Sequence, residues 1–242
     1  MLVAAGIGAG MNVLDVGCGV GDVSFLAGEL VGPEGSVVGV DLDAGALAFA
    51  ERRRASLGVG NVSFQLGDAR SVGVGGVFDA AVGRLVLKFM SDPIEAIRRI
   101  ADRVRPGGVL AFQETLARPT TTASGADQPV LARVQGLIND AFAATGASNE
   151  IAAGLASWMR AAGLVPDPRP LAELAYDLDF DPYDRWAPIA RSLLPKMVEY
   201  GLVSEDEGTR LIERDLRDEL RRGDFVPVSP LMVGVWARKQ AR

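Results

Sequence analysis

Histidine is absent from this chain, and that zero removes Ser-His and Cys-His pairs, the HExxH zinc site and any imidazole base. Proton chemistry falls to Asp, Glu, Tyr, Lys or water. Cysteine occurs once, as Cys18, so internal disulfides and Cys-rich zinc sites are excluded, which suits a reducing compartment. Positive charge is in deficit: 25 Lys and Arg against 31 Asp and Glu leave a net charge of −6, without the basic footprint that phosphate backbones require. No nucleic-acid partner is expected. The opening MLVAAGIGAGM lacks a basic n-region, and no later stretch offers about 18 apolar residues free of charge. No membrane partner is expected, and the chain reads as cytoplasmic.

What is present suffices for a folded α/β domain. Hydrophobic residues make up 48% and charged residues 23% of the 242 positions, which is not the composition of a disordered chain. Short β-branched runs alternate with helical patterns from 13 to 114, the signal of a parallel sheet wound with crossover helices. The strands read as Val13–Val16, Ser36–Val40, Val62–Leu66, Val77–Val82 and Val109–Glu114. Asp92, Pro93 and Glu95 open a helix whose stripe is Ile94, Ile97, Ile100 and Val104, and Pro106-Gly107-Gly108 is expected to stop it. A turn rich in Thr, Ser and Pro, Pro119 to Ser124, then leads into helices: Pro129 to Ala144, one carrying Ile151, Leu155, Trp158 and Met159, and a last one opened by Ser204 and Glu207 and stopped by Gly223. The four prolines from Pro166 to Pro182 predict loop or extended chain. Leu231 to Ala237 reads as a returning strand.

The chemistry concentrates where the first strand ends. Val13-Leu14-Asp15-Val16-Gly17-Cys18-Gly19-Val20-Gly21 runs a strand into a glycine turn and then a helix from Asp22, so that backbone can approach a ligand at a helix N-terminus. The spacing is G-x-G-x-G, and the sixth position of a dinucleotide fingerprint is occupied by the acid Asp22, which argues against NAD. The earlier triplet Gly6, Gly8 and Gly10 precedes its strand and reads as a loop. Asp41 follows the second strand, 20 residues after Gly21, where a carboxylate can accept both hydroxyls of a ribose. Asp43 reads as the cap of the next helix. Cys18, with no base beside it, reads as a small packed residue.

The segments VLDVGCGVGD (13 to 22), GVDLD (39 to 43), GDA (67 to 69), FDAAVGRLVL (78 to 87) and RPGG (105 to 108) resemble, in order, the class I S-adenosylmethionine (SAM)-dependent methyltransferases, in particular the group with the ubiquinone/menaquinone C-methyltransferases. The resemblance implies SAM as cofactor, held by Asp15, Gly17, Cys18, Gly19, Gly21, Asp41, Leu42, Gly67, Asp68, Ala69, Gly83 and Arg84, with Asp68 near the adenine amino group. It implies an α/β, Rossmann-like doubly wound sheet, mostly parallel with a returning antiparallel strand, plus a helical cap. The fourth strand ends in Val82-Gly83-Arg84-Leu85 rather than the Asn/Asp-Pro-Pro-aromatic motif of nucleobase methyltransferases. No carboxylate occurs from Ala80 to Met90, so no metal is expected.

Methyl transfer from a sulfonium needs little beyond in-line alignment, so the missing histidine is tolerable. Glu114, beside Gln113 at the end of the fifth strand, stands as a base for a hydroxyl acceptor or as a residue that bonds a loop amide. Arg84 stands as a holder of a carboxylate or as the partner of an acid in the cap. Residues 1–117 are expected to form the SAM-binding core, 118–147 and 181–223 a helical substrate cap, and 148–180 with 224–242 the remainder of the core. Only 12 residues precede Val13, and residues 2 to 7 read as the tail of a helix that closes over the cofactor in the family. Either the chain is truncated relative to its relatives or the cap comes from elsewhere. Phe142, Tyr183, Trp186, Met197 and Tyr200 suggest an apolar small-molecule pocket as a group, with Gln113 as a further substrate-pocket candidate, while each of the five singly reads as cap core. The activity expected is methyl transfer to a small, largely apolar metabolite at O, N or C. A SAM-fold binding module, a SAM-dependent cyclase or decarboxylase and an NAD oxidoreductase stand as alternatives, and a homodimer is compatible with the sequence.

Overall fold

The computed structural model describes residues 1–68, 70, 77–116, 128–146, 151–173, 181–222 and 231–240. Two compact units emerge: Met1–Thr115 with Ile151–Ala172 and Met232–Arg242, and Leu116–Glu150 with Glu173–Leu231. The first is built on β1 (Asn12–Val16), α1 (Asp22–Val31), β2 (Ser36–Asp41), α2 (Ala44–Leu57), β3 (Val62–Leu66), β4 (Phe78–Arg84), α3 (Pro93–Asp102), β5 (Val104–Leu116), α5 (Ile151–Ala161), β6 (Val165–Pro166), β7 (Leu171–Glu173) and β8 (Leu231–Arg238). The second holds α4 (Pro129–Ala144), α6 (Pro182–Glu199), α7 (Glu205–Arg210) and α8 (Leu216–Arg222).

The sheet order is β3-β2-β1-β4-β5-β8-β6, with β7 on β8. The strands from β3 to β5 are parallel, and β8 runs antiparallel to β6. The reason is legible in β1, whose side chains alternate between two buried faces. Leu14 and Val16 pack with α3 and α5 through Ile97, Ile100, Leu155 and Met159. Val13 packs on the opposite face with Val23, Ala27 and Val31 of α1. The helices between strands begin at local signals. Asp43 accepts from the amides of Gly45 and Ala46 to open α2, and Asp92 from that of Glu95 to open α3.

The chain departs from the sequence expectation at three places. Val104 is not the last residue of the α3 stripe but the first of β5, paired with Phe78. The next pair is Ala80 with Val109, so β5 bulges outward through Arg105–Gly108 and Pro106-Gly107-Gly108 lies inside the strand rather than stopping a helix. The bulge needs glycine: a Cβ on Gly108 would lie 2.5 Å from Val104 Cγ1 and 2.6 Å from the Asp79 carbonyl. Residues 2 to 6 form turns rather than a helix end. The helix opened by Ser204, whose Oγ accepts from the Glu207 amide, passes through a π-helical stretch, Leu211–Asp215, before α8. Its expected stop, Gly223, and the turn from Pro119 to Ser124 lie outside the described residues.

In the second unit, Leu131, Val134, Ile138 and Ala141 of α4 form one stripe at spacings of three and four, packed on Tyr183, Trp186, Ala187, Ala190 and Met197 of α6 and on Leu216 and Leu220 of α8. Glu219 of α8 accepts from the amides of Val130 and Leu131 at 2.9 and 2.7 Å, closing the N-terminus of α4.

Candidate active site

A doubly wound sheet places ligands at the carboxyl ends of its strands, where the strand order reverses. Here the reversal falls between β1 and β4, and a cavity of about 340 Å³ opens there. Its lining comes from the ends of four strands. Val16 ends β1 and Gly17 follows it, Val40 and Asp41 end β2 and Leu42 follows it, Gly67, Asp68 and Arg70 follow β3, and Leu85, Val86, Phe89 and Met90 follow β4.

The β1–α1 turn forms the floor. Gly17 has φ +65°, and a Cβ on it would lie 2.3 Å from Cγ2 of Val86. The turn is held from outside. Asp41 Oδ2 accepts from the amide of Gly19 at 2.7 Å, and its Oδ1 accepts from that of Asp43 at 2.9 Å. Arg53 of α2 donates to the carbonyl of Val20 and to Asp22 Oδ1, both at 2.7 Å, with its guanidinium 5.0 Å from the centre of the Phe25 ring. Arg84 reaches Asp22 from the other side, at 3.4 Å, so the acid it meets belongs to α1 and not to the cap. Asp68 is engaged by Arg70 through both carboxylate oxygens, and that bond holds its carboxyl below the usual range.

Two carboxyl groups lie behind the cavity. Asp15 is buried under the turn, accepts from Ser24 Oγ at 2.6 Å and is raised by burial to a pKa of about 6. Glu114 is 1% exposed. Its Oε1 accepts from the amides of Val86 and Leu87 at 2.9 and 2.8 Å, its Oε2 is buried without a partner among the described residues, and burial raises its pKa to about 7. Burial also lowers the pKa of the neighbouring Lys88.

Because the folded state holds the Glu114 proton more tightly than the unfolded chain, this group's stabilising contribution is complete below pH 4.5 and is lost as pH rises toward 7. The loss amounts to about 3 kcal/mol. In urea titrations, Glu114→Gln should therefore gain on the wild type as pH rises through that window, and a difference independent of pH would refute the assignment.

The sequence-derived residues divide by position. Gly17, Asp41, Leu42, Gly67 and Asp68 line the cavity. Asp15 and Cys18 are buried, and burial raises the Cys18 thiol well above its ordinary range. Gly19 and Gly21 shape the turn, Gly83 lies under Val86, and Gln113 offers its carbonyl to the Leu85 amide at 2.9 Å. Ala69 lies outside the described residues. Tyr183, Trp186 and Met197 are buried in the core of the second unit, with Phe142 packed against it. Tyr200 is 41% exposed and is not a member of that cluster. Sequence reasoning missed Arg70, Leu85, Val86, Phe89 and Met90, although the run Leu85-Val86-Leu87-Lys88-Phe89-Met90 directly after a strand at the ligand edge was an available signal. Among the described residues there is no cluster of three or more Cys, Asp or Glu that could hold a metal, and no helix is long and apolar enough to cross a membrane.

Wound sheet, glycine turn and acidic β2 end together define the class I SAM-dependent methyltransferase architecture. A family model described as a methyltransferase domain matches residues 7–149, more than half of the chain, and the chain belongs to that family. Aklanonic acid methyltransferase DauC of Streptomyces sp. (strain C5) is 35% identical over 113 residues, 46% of this chain and 51% of that protein. The ubiquinone/menaquinone biosynthesis C-methyltransferase UbiE of Pseudomonas paraeruginosa (strain DSM 24068 / PA7) is 33% identical over 120 residues, 49% of this chain and 46% of that protein. The chain thus spans about half the length of these curated relatives. The crystal structure of YcgJ from Bacillus subtilis shares the fold, with a TM-score of 0.62 at 18% identity, covering 100% of this chain and 97% of that one.

Proposed function

We propose that the protein transfers a methyl group from SAM to a small, largely apolar metabolite. The observation that carries this reading is the Asp41 carboxylate. It lines the cavity at the end of β2, and each oxygen is fixed by one backbone amide. A carboxylate oxygen has two lone pairs, so each retains one for a hydroxyl of a ribose diol. The rest of the cavity suits the group. Leu42, Val86, Phe89 and Met90 offer apolar surface to a purine, and the turn at Gly17 leaves no side chain between backbone and ligand.

When bound, SAM supplies a methyl group on a positively charged sulfur. The chain's own residues bind and orient at this site. Asp41 fixes the ribose, the glycine turn sets the depth, and the apolar wall excludes water, so the protein's contribution is alignment. The acceptor class is supported by the relatives, one acting on aklanonic acid and one in ubiquinone/menaquinone biosynthesis.

Titration calorimetry tests the reading. SAM and its demethylated product S-adenosylhomocysteine should bind, and NAD should not. Asp41→Ala should weaken binding by about 1.5–3 kcal/mol, the range for a hydrogen bond to a charged group. NAD binding as tightly as SAM, or unchanged SAM affinity in the variant, would overturn the assignment.

A further inference from the structure

Glu114 is an expensive residue to bury, and nothing in the cofactor reading uses it. It is 1% exposed, one of its oxygens has no partner among the described residues, and it is not part of the cavity lining. A buried carboxyl with a bare oxygen costs folding free energy unless its other contacts return it. Those contacts include two consecutive backbone amides, Val86 and Leu87, on the same oxygen, and the nearby charge of Lys88.

The segment these amides belong to is the wall of the cavity. It begins with Leu85 at φ +58°, the one non-glycine residue in the left-handed region among the described residues. A branched-chain neighbour follows at once in Val86, whose methyl groups occupy the space that a Cβ would need on Gly17 and on Gly83, at 2.3 and 2.8 Å. Leu87 is fully buried behind the wall, and Phe89 and Met90 return to the cavity. A leucine in a left-handed conformation persists only when its surroundings hold it. The Leu85 amide is held by the Gln113 carbonyl, and the next two amides are held by the Glu114 carboxyl. The side chain of β5 thereby seats Val86 against the glycine turn of β1.

We propose that Glu114 is a positioning residue of the cofactor cavity, acting through the amides of Val86 and Leu87 to fix the wall against Gly17. It sets cofactor affinity without touching the ligand and takes no part in proton removal. This rests on the reading of the cavity as the SAM site.

The test titrates S-adenosylhomocysteine into the full chain by calorimetry. Glu114→Ala, which removes the acceptor of both amides, should weaken binding by about tenfold or more. Glu114→Gln keeps an oxygen in the same place and should bind within about threefold of the wild type. Val31→Ala, in the buried cluster on the opposite face of the sheet, none of whose members lines the cavity, controls for general loosening and should lower the melting temperature with no such loss of affinity. Val86→Ala, which strips the methyl groups from the contact with Gly17, should also weaken binding several-fold, and it carries the test if Glu114→Ala does not fold. Wild-type affinity in both Glu114→Ala and Val86→Ala, a Glu114→Gln as weak as Glu114→Ala, or an equal loss in Val31→Ala would each overturn the proposal. Failure of the wild type to bind S-adenosylhomocysteine would instead remove the cofactor reading beneath it.

Discussion

Gly17→Ala should cost about 2–5 kcal/mol of stability and abolish S-adenosylhomocysteine binding in the same variant, the sum of a left-handed backbone without glycine and an overpacked contact. The added methyl would start 2.3 Å from Val86 Cγ2 and 2.9 Å from its Cβ. Val86 cannot step aside, since its amide is held by Glu114 and its other methyl rests over Gly83. The turn must move instead, and it is the floor of the cavity. Gly19 supplies the contrast. Its φ is +53°, yet a Cβ there meets nothing within 4 Å, so Gly19→Val should lose binding while keeping the fold, with a smaller loss of stability. Thermal melts and titrations of the two variants decide the matter. Equal destabilisation, or binding retained in Gly17→Ala, would show that the wall yields.

The second large effect belongs to the other unit. Trp186→Ala should cost about 3–5 kcal/mol, the usual range for emptying a buried aromatic site. Trp186 is 8% exposed and packs in a cluster drawn from α4, α6 and α8. Hydrogen exchange should therefore quicken in those helices, whereas the amides of β1, β2 and β4 keep their protection and S-adenosylhomocysteine affinity stays within about twofold. Faster exchange in β1, or lost affinity, would show that the two units unfold as one.

The parts of this protein legible from sequence are those whose signal is local. The G-x-G-x-G turn and Asp41 are fixed by the strand that precedes each of them, and the caps Asp43, Asp92 and Ser204 need only the helix that follows. The run after β4 could be placed at the ligand edge, but its role as a wall was not legible, because Leu85, Val86, Phe89 and Met90 take their meaning from Gly17 and Glu114, 69 and 28 positions from Val86. Val104 was misplaced for a related reason. Its spacing suits the α3 stripe, but pairing with Phe78 across the sheet overrides that periodicity, and the two glycines that look like a helix stop instead relax a bulge. The aromatic residues of the second unit could not be divided between core and pocket, because hydrophobic spacing is the same for both.

Arg53 gives the glycine turn a kinetic character. By binding the carbonyl of Val20 and the carboxylate of Asp22 from α2, while Asp41 binds the amide of Gly19, the protein orders the loop before any ligand arrives. The β1–α1 turn does not have to fold around an incoming cofactor, so its ordering entropy is already spent in folding the chain. Variants of this turn are then expected to differ more in how long the complex lasts than in how fast it forms.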